Sequence, residues 1–211
     1  RRTIADVDHD YRHAESAEQR RALVAALKTA PVFCFDLETT GLNPRRAELI
    51  GIAFSTEARS GDFAWFSRDR GEARRELLDF KDLFADEEIQ KVGHNCKYDM
   101  AVLKRYGVEV AGPVFDTMLA HALVEPEMRH KMDLLAETYL NYSPVPITQL
   151  IGENKDDQIS MAAVDRDVLK EYAVEDADVT LQLREVLMPT LVEKSQERVF
   201  YAVESPLIRV L

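Results

Sequence analysis

Val32-Phe33-Cys34-Phe35-Asp36-Leu37-Glu38-Thr39-Thr40-Gly41-Leu42 is the stretch whose reading decides the fold. Its first four residues are continuously apolar, with β-branched and aromatic content, which predicts a strand buried on both faces. Two acids stand where that strand ends. Strand side chains alternate, so Asp36 and Glu38 point to the same side. An ionised carboxylate at the end of a buried strand is costly without a counter-charge. A pair is worse, because like charges raise each other's pKa unless a cation sits between them. The plain alternative is a pair of turn acids leading into Thr39-Thr40-Gly41, since Asp-x-Glu arises by chance in many proteins.

The rest of the chain supplies partners for this strand. Ser16 and Gln19 make a capping box ahead of an N-terminal helix that runs to Ala30 and is ended by Pro31. Leu49 to Ser55 and Phe63 to Ser67 read as two strands joined by a turn around Ser60-Gly61. Leu77, Leu78, Phe80, Leu83 and Phe84 recur at helical spacing. Lys91 to Gly93 is a short strand, followed by a helix from Lys97 to Tyr106 with Gly107 at C′. Val114-Phe115 is a last short strand, and Asp116 is placed to cap a helix through Val124. Met132, Leu135, Ala136, Tyr139 and Leu140 share a helical face. Residues 142–160, with Pro144 and Pro146, read as a looser connection. Two long helices, about 165–187 and 190–211, are expected to break at Pro189. Three neighbouring strands, then strand and helix in alternation, predict an α/β fold with a mixed five-stranded sheet flanked by helices. An initial hairpin followed by β-α-β units points towards a ribonuclease H-like sheet, which pattern alone does not separate from other α/β layouts.

Two further acids fall where burial is expected. Asp99 lies in the first turns of the helix after Gly93-His94-Asn95, at the carboxyl end of a strand. Such an acid is commonly a dipole-stabilised residue of the first turn. Its position beside the expected place of Asp36 is what marks it. Leu169, Tyr172, Ala173, Asp176, Val179, Thr180 and Leu183 form one inward stripe at i, i+3, i+4 spacing, with Asp176 in its middle. Tyr172 is four residues earlier, on the same face and roughly 5–6 Å away at Cβ. Asp178 falls off the stripe, as a solvated or a hydrogen-bonding acid. Four inward carboxylates with no nearby Arg or Lys make a hard oxygen cage, which suits Mg²⁺ or Mn²⁺ better than zinc. Two such ions about 3.5–4 Å apart would neutralise the acids and clamp a phosphodiester for in-line attack by water.

Composition narrows the field. The chain has 211 residues, 46% hydrophobic and 31% charged, which is a globular balance. No apolar run approaches the roughly 20 residues of a membrane span, and no signal-peptide pattern is present. Cys34 and Cys96 are too few for a disulfide scaffold and predict buried, reduced thiols in a cytosolic protein. The first residue is Arg1 rather than methionine, which predicts a piece of something longer. Net charge is −11. Residues 1–75 carry 13 basic against 12 acidic side chains, and residues 76–211 carry 14 against 26. Such a surface repels phosphate in general, so any nucleic-acid contact must be local, short or bridged by metal ions, and a sequence-specific duplex reader is disfavoured. There is no Gly-rich P-loop, CxxC or HExxH, and the five histidines are scattered.

Phe35–Leu42, Val92–Asp99 and Tyr172–Asp178 resemble the three motifs of DEDD-type 3′→5′ exonucleases, in order, with 63 and 77 residues between their acids. The tyrosine four before the last acid is similar to that of the DEDDy branch. Phe115-Asp116-Thr117-Met118-Leu119, Arg129–Ala136 and Glu175–Leu183 further resemble the proofreading exonuclease family of bacterial DNA polymerases I. Glu204-Ser205-Pro206-Leu207 with Val210-Leu211 is similar to the first helix of the polymerase domain that follows. The resemblance therefore implies an exonuclease domain over 1–190 and, over 191–211, a helix leading into an absent polymerase domain. It implies catalytic and metal-holding roles for Asp36, Glu38, Asp99 and Asp176 with two Mg²⁺ or Mn²⁺ ions. Asp36 would be shared by both ions, Glu38 and Asp176 would complete one, and Asp99 would support the other. Tyr172 would orient the attacking water. Thr39, Leu42, His94, Asn95, Tyr98 and Arg129 match substrate-binding positions, with Leu42 as a wedge at the terminal base; His94 departs from the family, which carries Gln there. Leu42 as a loop anchor, Tyr98 as helix core and Arg129 as a surface charge are the other readings of those three. The implied substrate is a single-stranded or frayed DNA 3′ end, in the bacterial cytoplasm, beside a polymerase domain of the same parent chain. A ribonuclease D-like trimming enzyme and a catalytically silent docking domain are the rival readings.

Overall fold

A computed structural model describes residues 1–154 and 158–210. Residues 155–157 of the expected loose connection, and Leu211 at the end of the expected last helix, lie outside the described residues. The strands are β1 (Asp10–Ala14), β2 (Val32–Thr39), β3 (Leu49–Glu57), β4 (Ser60–Trp65), β5 (Gln90–Gly93) and β6 (Val114–Asp116). The helices are α1 (Ala17–Leu27), α2 (Arg70–Leu77), α3 (Lys81–Ala85), α4 (Cys96–Tyr106), α5 (Thr117–Val124), α6 (Met132–Leu135), α7 (Ile147–Ile151) and α8 (Arg166–Glu193), followed by the short α9 (Glu197–Val199) and α10 (Ser205–Leu207).

The sheet has order β1-β4-β3-β2-β5-β6. β2, β3 and β4 form an antiparallel meander, while β1, β5 and β6 join parallel to their neighbours. The class is α/β as expected, but the sheet has six strands rather than five. The missed strand is β1. It is a short edge strand whose Arg12 pairs with Asp62 of β4, with two bonds of 3.0 and 2.9 Å. Its Tyr11 hydroxyl donates to Asp178 on α8 at 2.7 Å. Tertiary partners, rather than an apolar run, make it a strand, and charged side chains on such an edge discourage further pairing.

β2 is buried on both faces, as its composition requires. Phe33, Phe35 and Leu37 enter a core shared with α1 to α4, where the rings of Phe33, Phe35, Phe54 and Phe84 meet at centroid distances of 5.1–6.4 Å. Cys34 enters a second core on the opposite face with Ala53, Phe63, Val92, Phe115, α5 and α8. By alternation Asp36 and Glu38 share the face of Cys34, the side on which α8 packs. Both cysteines are buried free thiols.

Several local signals act as read. Ser16 and Gln19 form the capping box of α1, Asp116 caps α5, and Gly107 closes α4 at φ 95°, where a side chain would be strained. Others need correction. The β3–β4 turn is centred on Ala58-Arg59, with Arg59 at φ 63°, and Ser60-Gly61 already belongs to β4. Gly61 is there for closeness: a Cβ would stand 2.4 Å from the Phe54 carbonyl oxygen and 2.5 Å from Val174 of α8.

α8 does not break at Pro189 but continues to Glu193, and the chain turns at Ser195, φ 57°. Burial of Leu187 and Leu191 on either side of Pro189 holds the helix together across the missing amide bond. The last segment is one unbroken helical run from Glu197 to Leu207 with a π-helical middle at Phe200–Glu204, so the expected second helix is present but shorter than 190–211. Phe200 packs on Phe115 with ring centroids 4.9 Å apart and the rings tilted by 44°, and the Ser205 hydroxyl donates to the Val114 carbonyl at 2.7 Å, which ties this segment to β6. No helix among the described residues is long and apolar enough to cross a membrane.

Candidate active site

Three elements deliver the acids. Asp36 and Glu38 stand on β2 opposite Ala53 and Gly51 of β3, and the ladder shifts register after Glu38, at the point where the chain leaves the sheet. Asp99 is in the first turn of α4, with its side chain buried, and the Leu37 amide of β2 counts among the groups that lower its pKa against the larger effect of burial. Asp176 comes from the middle of α8, with Tyr172 one turn earlier. Glu38, Asp99 and Asp176 are buried, and Asp36 is half-buried.

Electrostatics ties the four together. Burial, as the first cause, pushes the Asp36 carboxyl up to about 7. Burial, then the charges of Asp36, Asp176 and Asp99, lifts Glu38 well above the carboxylate range. Asp99 and Asp176 are raised by burial and by Asp36. A hydrogen bond with Tyr172 pulls Asp176 the other way, while burial and the neighbouring acids hold the Tyr172 phenol firmly protonated. No carboxylate of the four forms an ion pair among the described residues. Asp176 Oδ1 is buried without any hydrogen-bond partner. Acids that repel one another and leave a buried oxygen orphaned fit hard divalent cations. The expected cage is nonetheless open. Among the described residues no three His, Cys, Asp or Glu side chains close into a ready ligand shell.

Around the acids, the Tyr98 hydroxyl donates to the Gly41 carbonyl at 2.5 Å and lies 2.6 Å from Thr39 Oγ1. These bonds join β2, α4 and the loop after Thr39, and Leu42 at that loop's tip is 95% exposed. Asn95 caps α4 in the left-handed conformation, φ 62°, ψ 46°, with an exposed side chain that makes no cap bond. A strained asparagine held beside a cluster of acids is the kind of backbone feature found at functional sites. No hydrogen bond or ion pair among the described residues links His94 or Arg129 to the four acids. His94 Nδ1 lies 2.8 Å from Thr117 Oγ1, its Nε2 is buried without a partner, and burial lowers its pKa. Arg129 is exposed in the turn between α5 and α6.

Asp116 does more than sequence reading assigned to it. Besides capping α5 through the amides of Met118 and Leu119 at 2.9 and 3.3 Å, it accepts from the amides of Asn95 and Cys96 at 3.2 and 2.8 Å. One buried carboxylate thus caps two helices and fixes the strained start of the helix that carries Asp99. The only signal for this in sequence is an acid at a strand end, which does not reveal a second client. Asp116→Ala strands buried amides, each at about 1–3 kcal/mol when unsatisfied. We expect a loss of roughly 2–4 kcal/mol, or about 5–15 °C in Tm for a chain of this size, with Asp116→Asn intermediate. A wild-type melting curve for Asp116→Ala would contradict this role.

Asp178 is buried and hydrogen-bonding rather than solvated. It accepts from the Tyr11 hydroxyl and, at 2.9 Å, from the Arg59 amide. Glu175 is likewise buried and accepts from the Tyr142 hydroxyl at 2.5 Å and the Val145 amide at 2.9 Å. α8 is therefore buried well beyond the expected single stripe. The acids off the stripe clamp β1, the β3–β4 turn and the segment after α6 onto the helix.

A mixed sheet with two acids on β2, a third on α4 and a fourth on α8 one turn after a tyrosine is an arrangement suited to phosphodiester cleavage, and the comparisons specify the class. The description "3'-5' exonuclease" matches residues 11–192, and the chain belongs to that family. The DNA polymerase I of Chloroflexus aurantiacus is 36% identical over 196 residues, covering 90% of this chain and 20% of its own. The chain spans about a fifth of the length of the curated relatives it matches. Two solved structures share the fold, which is ribonuclease H-like. Brucella melitensis NrnC with bound Mg²⁺ superposes with a TM-score of 0.71 at 20% identity, covering 96% of this chain and 90% of its own. Escherichia coli RNase D, an exoribonuclease involved in structured RNA processing, gives 0.76 at 16% identity, covering 95% and 50%.

Proposed function

We propose that this domain is a metal-dependent 3′→5′ exonuclease that releases 5′-mononucleotides from single-stranded or frayed DNA 3′ ends. Its role would be the editing domain of a DNA polymerase I, in bacterial DNA replication and repair. The observation that carries the reading is the set of four unpaired, mutually repelling acids, with Asp176 Oδ1 orphaned beside Tyr172. Asp36, Glu38, Asp99 and Asp176 would hold two Mg²⁺ or Mn²⁺ ions. The ions supply charge neutralisation and an activated water. The chain's own groups do the positioning. The protonated Tyr172 hydroxyl orients the attacking water, Thr39 and Tyr98 fix the loop that presents Leu42 to the terminal base, and Asn95 holds the terminal nucleotide. Arg129 and His94 would complete the substrate contacts when a strand is bound. The Mg²⁺ bound to NrnC supports the choice of ion.

Residues 191–211 would lead into a polymerase domain of the same parent chain, as the fivefold greater length of the relatives suggests, in the bacterial cytoplasm at the nucleoid. The likeness to RNase D favours a second reading, trimming of RNA 3′ ends. The 36% identity to a DNA polymerase I weighs for DNA, and the complete set of acids weighs against a silent docking domain. Matched DNA and RNA strands with Mg²⁺ decide between the first two: the DNA strand should be shortened at least about tenfold faster. Equal or faster loss of RNA would overturn the assignment to DNA. Tyr172→Phe should lower turnover by about 10²-fold, the cost of a misoriented nucleophile, with Tm and Mg²⁺-induced stabilisation unchanged. Wild-type turnover in that variant would remove the tyrosine from the reaction.

A further inference from the structure

A cleft of about 870 Å³ opens along the outer face of α4, on the far side of that helix from Asp99. Arg45, Lys97, Lys104, Arg105 and Arg209 line it against a single acid, Glu109. In a chain of net charge −11, such a concentration of positive charge is a local exception. Lys97 and Lys104 are seven residues apart on α4, hence on one helix face; Arg45 comes from the loop after β2 and Arg209 from the C-terminal segment. Arg45, Lys97, Lys104 and Arg209 are exposed. None of the four forms an ion pair among the described residues, and Arg105 alone has an acid nearby, Glu48 at 3.6 Å. Arg209 is held by the Val110 and Gly112 carbonyls and Arg105 by the Ala47 carbonyl, whereas Arg45, Lys97 and Lys104 have no acid within ion-pair distance among the described residues, so their charge is left for an outside partner. A concave wall of one sign focuses its field and attracts a flexible polyanion.

None of the four acids lines the cleft, but it reaches residues that the proposed function places beside the strand end. Its lining includes Asn95, which holds the terminal nucleotide in that reading, and Tyr98, which fixes the Leu42 loop. Arg45 stands in the same loop as Leu42. We propose that this cleft holds the phosphodiester backbone of the single strand beyond its terminal nucleotide, with Arg45, Lys97 and Lys104 as the phosphate contacts. The inference rests on the proposed nuclease reading for the direction of the strand, but not for the charge that binds it.

The test is equilibrium binding of fluorescent oligothymidylates whose 3′-terminal linkages are phosphorothioates, with Mg²⁺, across a length series and a salt series. Affinity should rise steeply between two nucleotides and ten. Arg45→Glu with Lys104→Glu should weaken ten-nucleotide binding at least about tenfold. It should also flatten the log Kd against log salt slope by about 1.4, the share of two phosphate contacts on a single strand. Lys28→Glu, an exposed lysine outside the cleft, should change neither, and thermal melting checks that each variant is folded. Unchanged affinity and slope in a folded Arg45→Glu/Lys104→Glu protein would overturn the proposal and leave the cleft to a protein neighbour. Affinity independent of strand length would overturn it as well. Hydrolysis of an uncapped strand, followed in parallel, separates the two readings: charge-dependent binding without hydrolysis would sustain the cleft and sink the nuclease.

Discussion

Asp36→Ala should abolish hydrolysis while making the metal-free protein more stable. The two effects have one cause. Asp36 is the acid felt by all three others: its charge raises Glu38, Asp99 and Asp176 and helps keep Tyr172 protonated. As one of the acids that would hold the ions in the proposed function, and the one whose charge reaches all the others, its loss should cost at least about 10³-fold in rate, on the order of 4 kcal/mol. In EDTA the same change removes a half-buried charge whose neighbours repel it, so Tm should rise. Most substitutions at a catalytic acid on a central strand are expected to lower stability, which makes the opposite sign informative. The check is a single-turnover rate on a labelled single strand together with melting curves in EDTA and in Mg²⁺. A variant that retains wild-type rates would end the two-ion reading. A variant that melts lower in EDTA would show that the acids are not mutually destabilising.

Stability without divalent ions should fall as pH rises from about 6.5 to 8.5. The sign follows from linkage. A carboxyl whose folded pKa lies above its unfolded value binds protons more tightly when folded, so deprotonation favours unfolding. Asp36 moves from 3.8 to about 7, and Glu38, Asp99 and Asp176 are raised as well. Their contribution is therefore present at low pH and lost as pH climbs through the folded values. Below about 6.5 the half-buried His94 and the buried His121 act in the opposite sense, because desolvation lowers their pKa values and acidification forces a charge on them, so the clean window is the one above. Mg²⁺ competes with protons for the same oxygens and should raise Tm more at pH 8.5 than at pH 6.5. At a hundredfold excess over its dissociation constant, an ion that binds only the folded state adds about 2.7 kcal/mol. Scanning calorimetry at the two pH values, in EDTA and in Mg²⁺, reads both effects. A Mg²⁺ shift independent of pH would place the ion elsewhere.

Much of this was legible in the sequence, for identifiable reasons. A strand as apolar as Val32–Phe35 has to be central, and alternation then puts Asp36 and Glu38 on one face without knowledge of the sheet. Caps such as Ser16, Asp116 and Gly107 act within a few residues, so local spacing reveals them. The failures are tertiary. β1 is a strand because Tyr11 reaches Asp178 and Arg12 reaches Asp62, contacts that span 167 and 50 residues. α8 runs through Pro189 because Leu187 and Leu191 are buried on either side. For Asp178 the helical wheel leaves two readings open, solvated or hydrogen-bonding, and the cover of β1 and the β3–β4 turn decides for the second. The second role of Asp116 requires β6 to end beside the start of α4. The basic cleft was hidden twice, by the acidic net charge and because its residues are scattered from Arg45 to Arg209.

The most direct test of the central claim is the digestion of a 5′-labelled single-stranded DNA by this protein, with Mg²⁺ or with EDTA, alongside Asp36→Ala. The account predicts a ladder that shortens one nucleotide at a time from the 3′ end, releases 5′-mononucleotides, requires the metal and vanishes in the variant. An intact strand after incubation with a folded, Mg²⁺-binding wild-type protein would contradict it.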